Sequence, residues 1–148
     1  MTDARLVRAQ KLLALREREL EATKNNLALA VVATLNAKQA AEAGEHAWLE
    51  AVDTPGKDLA TLSDHEDHHQ HLHLLRAAAE RLARAFEQAR LKEDHVRLAV
   101  AHATKELKKV ELWHQSILDS VNEDERRKDV KANDELAARR DRDRHQEQ

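Results

Sequence analysis

The chain has no cysteine and no tyrosine, one proline (Pro55), two glycines (Gly44 and Gly56) and, in 148 residues, only Trp48, Phe86 and Trp113 as aromatic rings. Without cysteine there is no disulfide framework and no thiolate metal site. Two isolated glycines exclude a glycine-rich phosphate loop. Ser63, Ser116 and Ser120 lack the strand-turn-helix setting of a nucleophile. Acidic groups are plentiful but stand on a charged, solvated surface, where nothing shifts their acidity toward general acid–base work. The expectation is a protein without enzymatic activity and without a cofactor. The longest apolar run, residues 27–33, falls far short of the roughly 20 residues that cross a bilayer, so no direct membrane insertion is expected. Residues 1–20 are broken by charge every few positions and lack the apolar run of a signal peptide. Net charge is −3 with both signs mixed along the chain, unlike the basic patch or stripe of a nucleic-acid binder.

What remains is a composition rich in Ala, Glu, Lys, Leu and Arg, 36% charged and 2% aromatic, which is that of long helices rather than of a globular core. Its strongest pattern is a ladder stepping by three and four: Leu72, Leu75, Ala79, Leu82, Phe86, Ala89, Glu93, Val96, Val100, Ala103, Leu107, Val110, His114, Ile117 and Val121. Only Glu93 and His114 are polar. An average step of 3.5 residues keeps one narrow stripe facing a partner helix.

The punctuation falls at Asp53-Thr54-Pro55-Gly56-Lys57, where proline and glycine disfavour helix. Before it, helix one is predicted over about residues 3–52, capped by Thr2 or Asp3. Its frame reads Leu6, Leu13, Leu20, Leu27, Thr34, Ala41 and Trp48. The row three residues on is mostly small: Ala9, Arg16, Thr23, Ala30, Ala37, Gly44 and Ala51. After a turn over residues 53–64, with Ser63 or Asp64 as cap, helix two is predicted over about residues 65–145. Helices joined by a short turn pack antiparallel. The expected fold is all-α, a single long antiparallel two-helix coiled-coil hairpin with the C-terminal helix overhanging. The helices would measure roughly 75 and 120 Å at about 1.5 Å per residue. If residue 48 sits near residue 72, then residue 6 lies near residue 114, and the ladder ends close to where its partner runs out. A parallel dimer of helix two would use the same ladder.

Residues 122–148 differ in character: 17 of these 27 are charged, and Val130 and Leu136 are the only large aliphatics. A helix there would rest on ion pairs worth about 0.2–0.5 kcal/mol each. It reads either as a solvated tail or as a partner-binding tip that orders against something else.

His65, His68, His69, His71 and His73 crowd the start of helix two. His65, His69 and His73 share a helix face, and two imidazoles with a carboxylate suit zinc or nickel. A structural site wants four ligands held by further groups, which this segment does not offer. The reading adopted is a solvated polar helix start, with no metal site. His114 reads as a register-setting polar residue in the seam. Trp48 reads as an anchor against the start of helix two, and Trp113 as a flank of the seam or an exposed contact.

Helix one contains Leu12-Leu13-Ala14-Leu15-Arg16-Glu17-Arg18-Glu19-Leu20, and the tail contains Glu125-Arg126-Arg127-Lys128 and Asp134-Glu135-Leu136-Ala137-Ala138-Arg139-Arg140. With the length and the longer second helix, these resemble the FliJ/YscO family of flagellar and type III secretion export proteins. The histidine cluster is not part of that pattern. The resemblance implies a cytoplasmic stalk, peripheral to the inner-membrane export apparatus and built like the shaft of rotary ATP synthases. Its partners would be a hexameric export ATPase, an export gate protein at the inner membrane, and export chaperones for some members. Carried over by position, the ATPase-facing residues would be Leu12, Leu15, Arg16 and Arg18 on helix one, and Arg126, Arg127, Asp134, Glu135, Arg139 and Arg140 on helix two. The alternative is a coiled-coil scaffold or self-associating adaptor.

Overall fold

The computed structural model describes residues 3–54 and 61–147. Two helices fill almost all of them: α1 (Ala4–Asp53) and α2 (Leu62–Gln146), with no strand among the described residues. Both helices follow from the near-absence of breakers, since Gly44 is the only glycine or proline inside either. The Pro55-Gly56 turn lies outside the described residues.

The caps are explicit. The Asp3 carboxylate accepts from the Arg5 backbone N–H at 2.8 Å, taking one of the donors that a helix start leaves unpaired. At α2 the expectation of Ser63 or Asp64 as cap is corrected. Thr61 is the cap: its hydroxyl accepts from the Asp64 N–H at 3.1 Å, and the Asp64 carboxylate accepts from the Thr61 N–H at 3.2 Å. This reciprocal pair is a capping box with aspartate in the third helical position. It starts α2 three residues earlier than the sequence reading placed it.

The helices pack against each other within two units, Met1–Leu20 with Ala103–Gln148 and Glu21–His102. In the second unit, the Arg76 guanidinium lies 5.8 Å from the Trp48 ring centroid. Gly44 faces Ala79 and Leu82. The Thr34 hydroxyl sits 3.1 Å from the Ala89 carbonyl oxygen and 2.9 Å from that of Ala30. Descending numbers on α1 meet ascending numbers on α2, so the pair is antiparallel. The first unit shows the same order. Arg16 feels the carboxylate of Glu106, and Arg5 Nη2 approaches Asp124 at 3.7 Å. The sequence-based register is therefore corrected by about one turn: residue 48 pairs with 76 rather than 72.

Every one of the fifteen ladder positions on α2 and the fourteen frame positions on α1 is buried or half-covered. The all-α helical hairpin expected from the spacing is the observed fold. Its interior is thin. Among the described residues only Ala9, Ala30, Ala103 and Val110 are buried, and no large side chain is fully enclosed. Burial is spread over many half-covered side chains, because two helices can shield one stripe of each other and no more.

At Gly44 the two helices approach closely. A Cβ there would lie 2.7 Å from Leu82 Cδ1 and 3.6 Å from Ala79 Cα. For alanine, a helix-propensity gain of about 1 kcal/mol offsets moving one flexible methyl group. Valine adds bulk that neither neighbour can evade. Gly44→Val is expected to destabilise by about 2 kcal/mol, read as a thermal midpoint lowered by roughly 4–8 °C, with Gly44→Ala near neutral.

Candidate partner-binding surfaces

Because the seam consumes one stripe of each helix, recognition falls to what the seam leaves uncovered. Three regions qualify: the C-terminal part of α2, a groove beside Trp48, and the outer face of the α1 middle.

The C-terminal part begins where Arg5 meets Asp124. From Asp124 to Glu147 every residue is exposed. The heptad frame continues there as Asp124, Lys128, Lys131 and Glu135, which offer no apolar stripe to a second helix. Local ion pairs replace it. Glu123 Oε1 lies 3.0 Å from Arg126 Nη2 and 3.5 Å from Arg127 Nε. Arg126 donates twice to the Glu123 carboxylate, which holds that carboxyl below its ordinary range and raises the arginine.

The ten residues carried over from the family resemblance all fall in the terminal unit, but they do not form one surface. On α1, Leu15 and Arg18 are exposed and Leu12 is half-covered. Arg16 turns toward the helix pair. Its Nη1 donates to Glu19 at 2.8 Å, and Glu19 first and Glu106 second push its pKa up. Its Nε is buried without a hydrogen-bond partner among the described residues. Arg16 is thus a half-covered residue of the α1 frame. On α2, Arg126 and Arg127 are held by Glu123, and Asp134, Glu135, Arg139 and Arg140 are exposed. The α1 group lies at the level of Glu106. The α2 group starts 20 residues further on, roughly 30 Å along the helix. A partner touching both must be large or must encircle the terminal unit.

The groove beside Trp48 has a volume of about 490 Å³. Ala41, Ala79 and Ala83 leave its floor open, Trp48 and Phe86 line it, and Lys38, Glu42 and Arg76 rim it. Trp48 is half-covered and takes up the anchoring role expected of it, stacked on Arg76 rather than on the first turns of α2. Trp113 is 45% exposed, the more open of the two readings for it.

At the histidine segment, His65, His69, His71 and His73 are exposed and His68 is half-covered. Among the described residues no three His, Cys, Asp or Glu side chains converge on a point where a metal ion would sit. No helix among them is long and apolar enough to cross a membrane.

The two polar ladder positions behave differently. Glu93 is answered one turn on by Arg97 Nη2 at 3.2 Å. His114 Nε2 is buried without a partner among the described residues. A buried polar atom left unpaired costs about 1–3 kcal/mol. His114→Leu is therefore expected to stabilise the fold by about 1 kcal/mol in chemical denaturation. The Glu123 carboxyl, being depressed, stabilises the fold above the ordinary carboxylate range, and this contribution is lost as pH falls through its lowered value. An NMR titration is expected to find Glu123 below ordinary glutamates, with Arg126→Ala returning it upward. No protein-family model, curated protein or solved structure matches this chain.

Proposed function

We propose that this protein is a non-catalytic coupling stalk whose exposed α2 extension is gripped by a larger assembly. The observation that carries this reading is the continuation of α2 as helix from Glu125 to Gln146, past the level where α1 begins, with every side chain exposed. Long helices in proteins are normally stabilised by packing an apolar face. This one has none, and isolated surface pairs contribute only about 0–1 kcal/mol each. Its acids and bases are nearly balanced, so it suits shallow contacts with several similar subunits better than one deep charged pocket.

The FliJ/YscO-like segments at both ends name a partner of that kind. In this reading the partner is the hexameric ATPase of a flagellar or type III secretion export apparatus. The terminal unit enters the hexamer, and the far end reaches toward the export gate at the inner membrane. The protein would work in the cytoplasm, peripheral to that apparatus, with export chaperones as further partners. Leu15, Arg18, Arg126, Arg127, Asp134, Glu135, Arg139 and Arg140 are the exposed members of the candidate set and so the contacts favoured here.

The test is co-sedimentation with the ATPase hexamer and its rate of ATP hydrolysis. The full chain is expected to bind and to raise the rate. Removing residues 125–148 is expected to abolish both while the rest stays helical by circular dichroism. Undiminished binding by the truncated chain would overturn the assignment of the tip.

A further inference from the structure

The middle of α1 carries a second stripe, on a different face from the one that meets α2. From Lys24 it runs through Ala28, Val31, Leu35 and Lys38 to Glu42, and all six are exposed. Leu35 is 52% exposed, and Val32 beside the stripe is 55% exposed. The steps are four, three, four, three, four, which is the spacing that presents a straight seam to a partner helix. Scattered exposed aliphatics are ordinary, but these are contiguous and framed. Between residues 22 and 41 the only charges are Lys24 and Lys38, with no acid, in a chain that is 36% charged.

The spacing itself indicates what covers this stripe, because it reads the same in both directions. Laid antiparallel on a second α1, the stripe matches itself about a two-fold axis between Val31 and Leu35. Val31 then meets Leu35 of the second copy, and Leu35 meets its Val31. Lys24 meets Glu42 of the second copy, and the symmetry repeats that opposite-charge pair. Lys38 lies over Ala28, whose small side chain leaves room for the lysine stem while the ammonium reaches water.

Other registers do worse. Sliding by one heptad sets Leu35 against Lys24 in one direction, and Val31 against Glu42 in the other. A parallel pair would oppose Lys24 to Lys24 and Glu42 to Glu42. The next positions outward in the favoured register, Glu21 and Glu45 of the second copy, are like-charged and close the seam. The contact is therefore confined to residues 24–42, roughly 28 Å of helix. Glu42 is only loosely held in its own helix, 4.0 Å from Lys38. Lys38 and Glu42 also rim the groove floored by Ala41, Ala79 and Ala83, apolar surface that the hairpin leaves uncovered on the same side.

We propose that two copies of this chain associate through the residue 24–42 stripe of α1, antiparallel, with Val31 and Leu35 at the centre and Lys24–Glu42 pairs at the ends. The interface is separate from the α1–α2 seam and from the α2 extension.

Sedimentation velocity of the full chain over a concentration series reads it. A reversible dimer is expected. Lys24→Glu and Glu42→Lys are each expected to weaken it about tenfold or more, because each replaces two opposite-charge pairs by two like-charge pairs. The double variant Lys24→Glu with Glu42→Lys is expected to restore it. Leu35→Asp is expected to give monomer, with unchanged helicity by circular dichroism. Because the chain has no cysteine, single-cysteine variants report the register directly: Val31→Cys mixed with Leu35→Cys is expected to cross-link on mild oxidation faster than either alone. A chain that stays monomeric at several hundred micromolar would overturn the proposal. So would a dimer indifferent to Leu35→Asp, or a double charge swap that fails to restore association.

Discussion

Everything in this protein depends on how closely α1 and α2 can approach. The row Ala9, Ala30, Ala37, Gly44 and Ala51 on α1 has almost no side chain to hold the backbones apart. The gap that a Cβ at Gly44 would close to 2.7 Å is filled by Leu82. The Thr34 hydroxyl reaches a carbonyl oxygen of the opposite helix. Such closeness compensates for the poverty of large apolar groups. Dispersion depends on proximity, and small side chains allow more backbone atoms to come within range than a leucine-only seam would.

The cost of this arrangement is that nothing is deeply buried. Four small side chains are covered and the others in the frame are shared with water. Stability is therefore distributed, and no single residue holds the fold. The polar members of the seam acquire disproportionate weight for the same reason. Glu93 is matched by Arg97, whereas Arg16 Nε and His114 Nε2 have no hydrogen-bond partner among the described residues. Both unmatched atoms lie in the terminal unit. A heptad seam can slide by whole repeats at little loss of apolar contact, and polar residues within it raise the cost of sliding.

Two helices also leave most of their circumference free. In the terminal unit that freedom appears as a charged helix with no apolar stripe, suited to contacts that are numerous and shallow. In the other unit it appears as an aliphatic stripe between lysines, suited to one helix of matching pattern. These surfaces differ in chemistry, so occupying one does not require the other.

Much of this was legible in the amino-acid order alone. The 3–4 spacing selects a helical stripe wherever it occurs, and every ladder position from Leu72 to Val121 proved to be covered. The capping box was also present as Thr61-x-x-Asp64, a signal that Ser63 and Asp64 obscured by being good caps themselves. The register was not legible, because a periodic stripe fits its partner equally well at many offsets. It is decided by where Gly44 admits Leu82 and where Trp48 finds Arg76, contacts between residues far apart in the chain. Arg16 carried two readings in the sequence, a place in the α1 frame by spacing and an outward contact by its charge-rich motif, and the packing puts it in the frame, half-covered. Local sequence determined that there would be two helices and which stripe each would hide. Only their packing decided which residues meet, because that depends on side-chain volumes matched across space rather than on spacing along the chain.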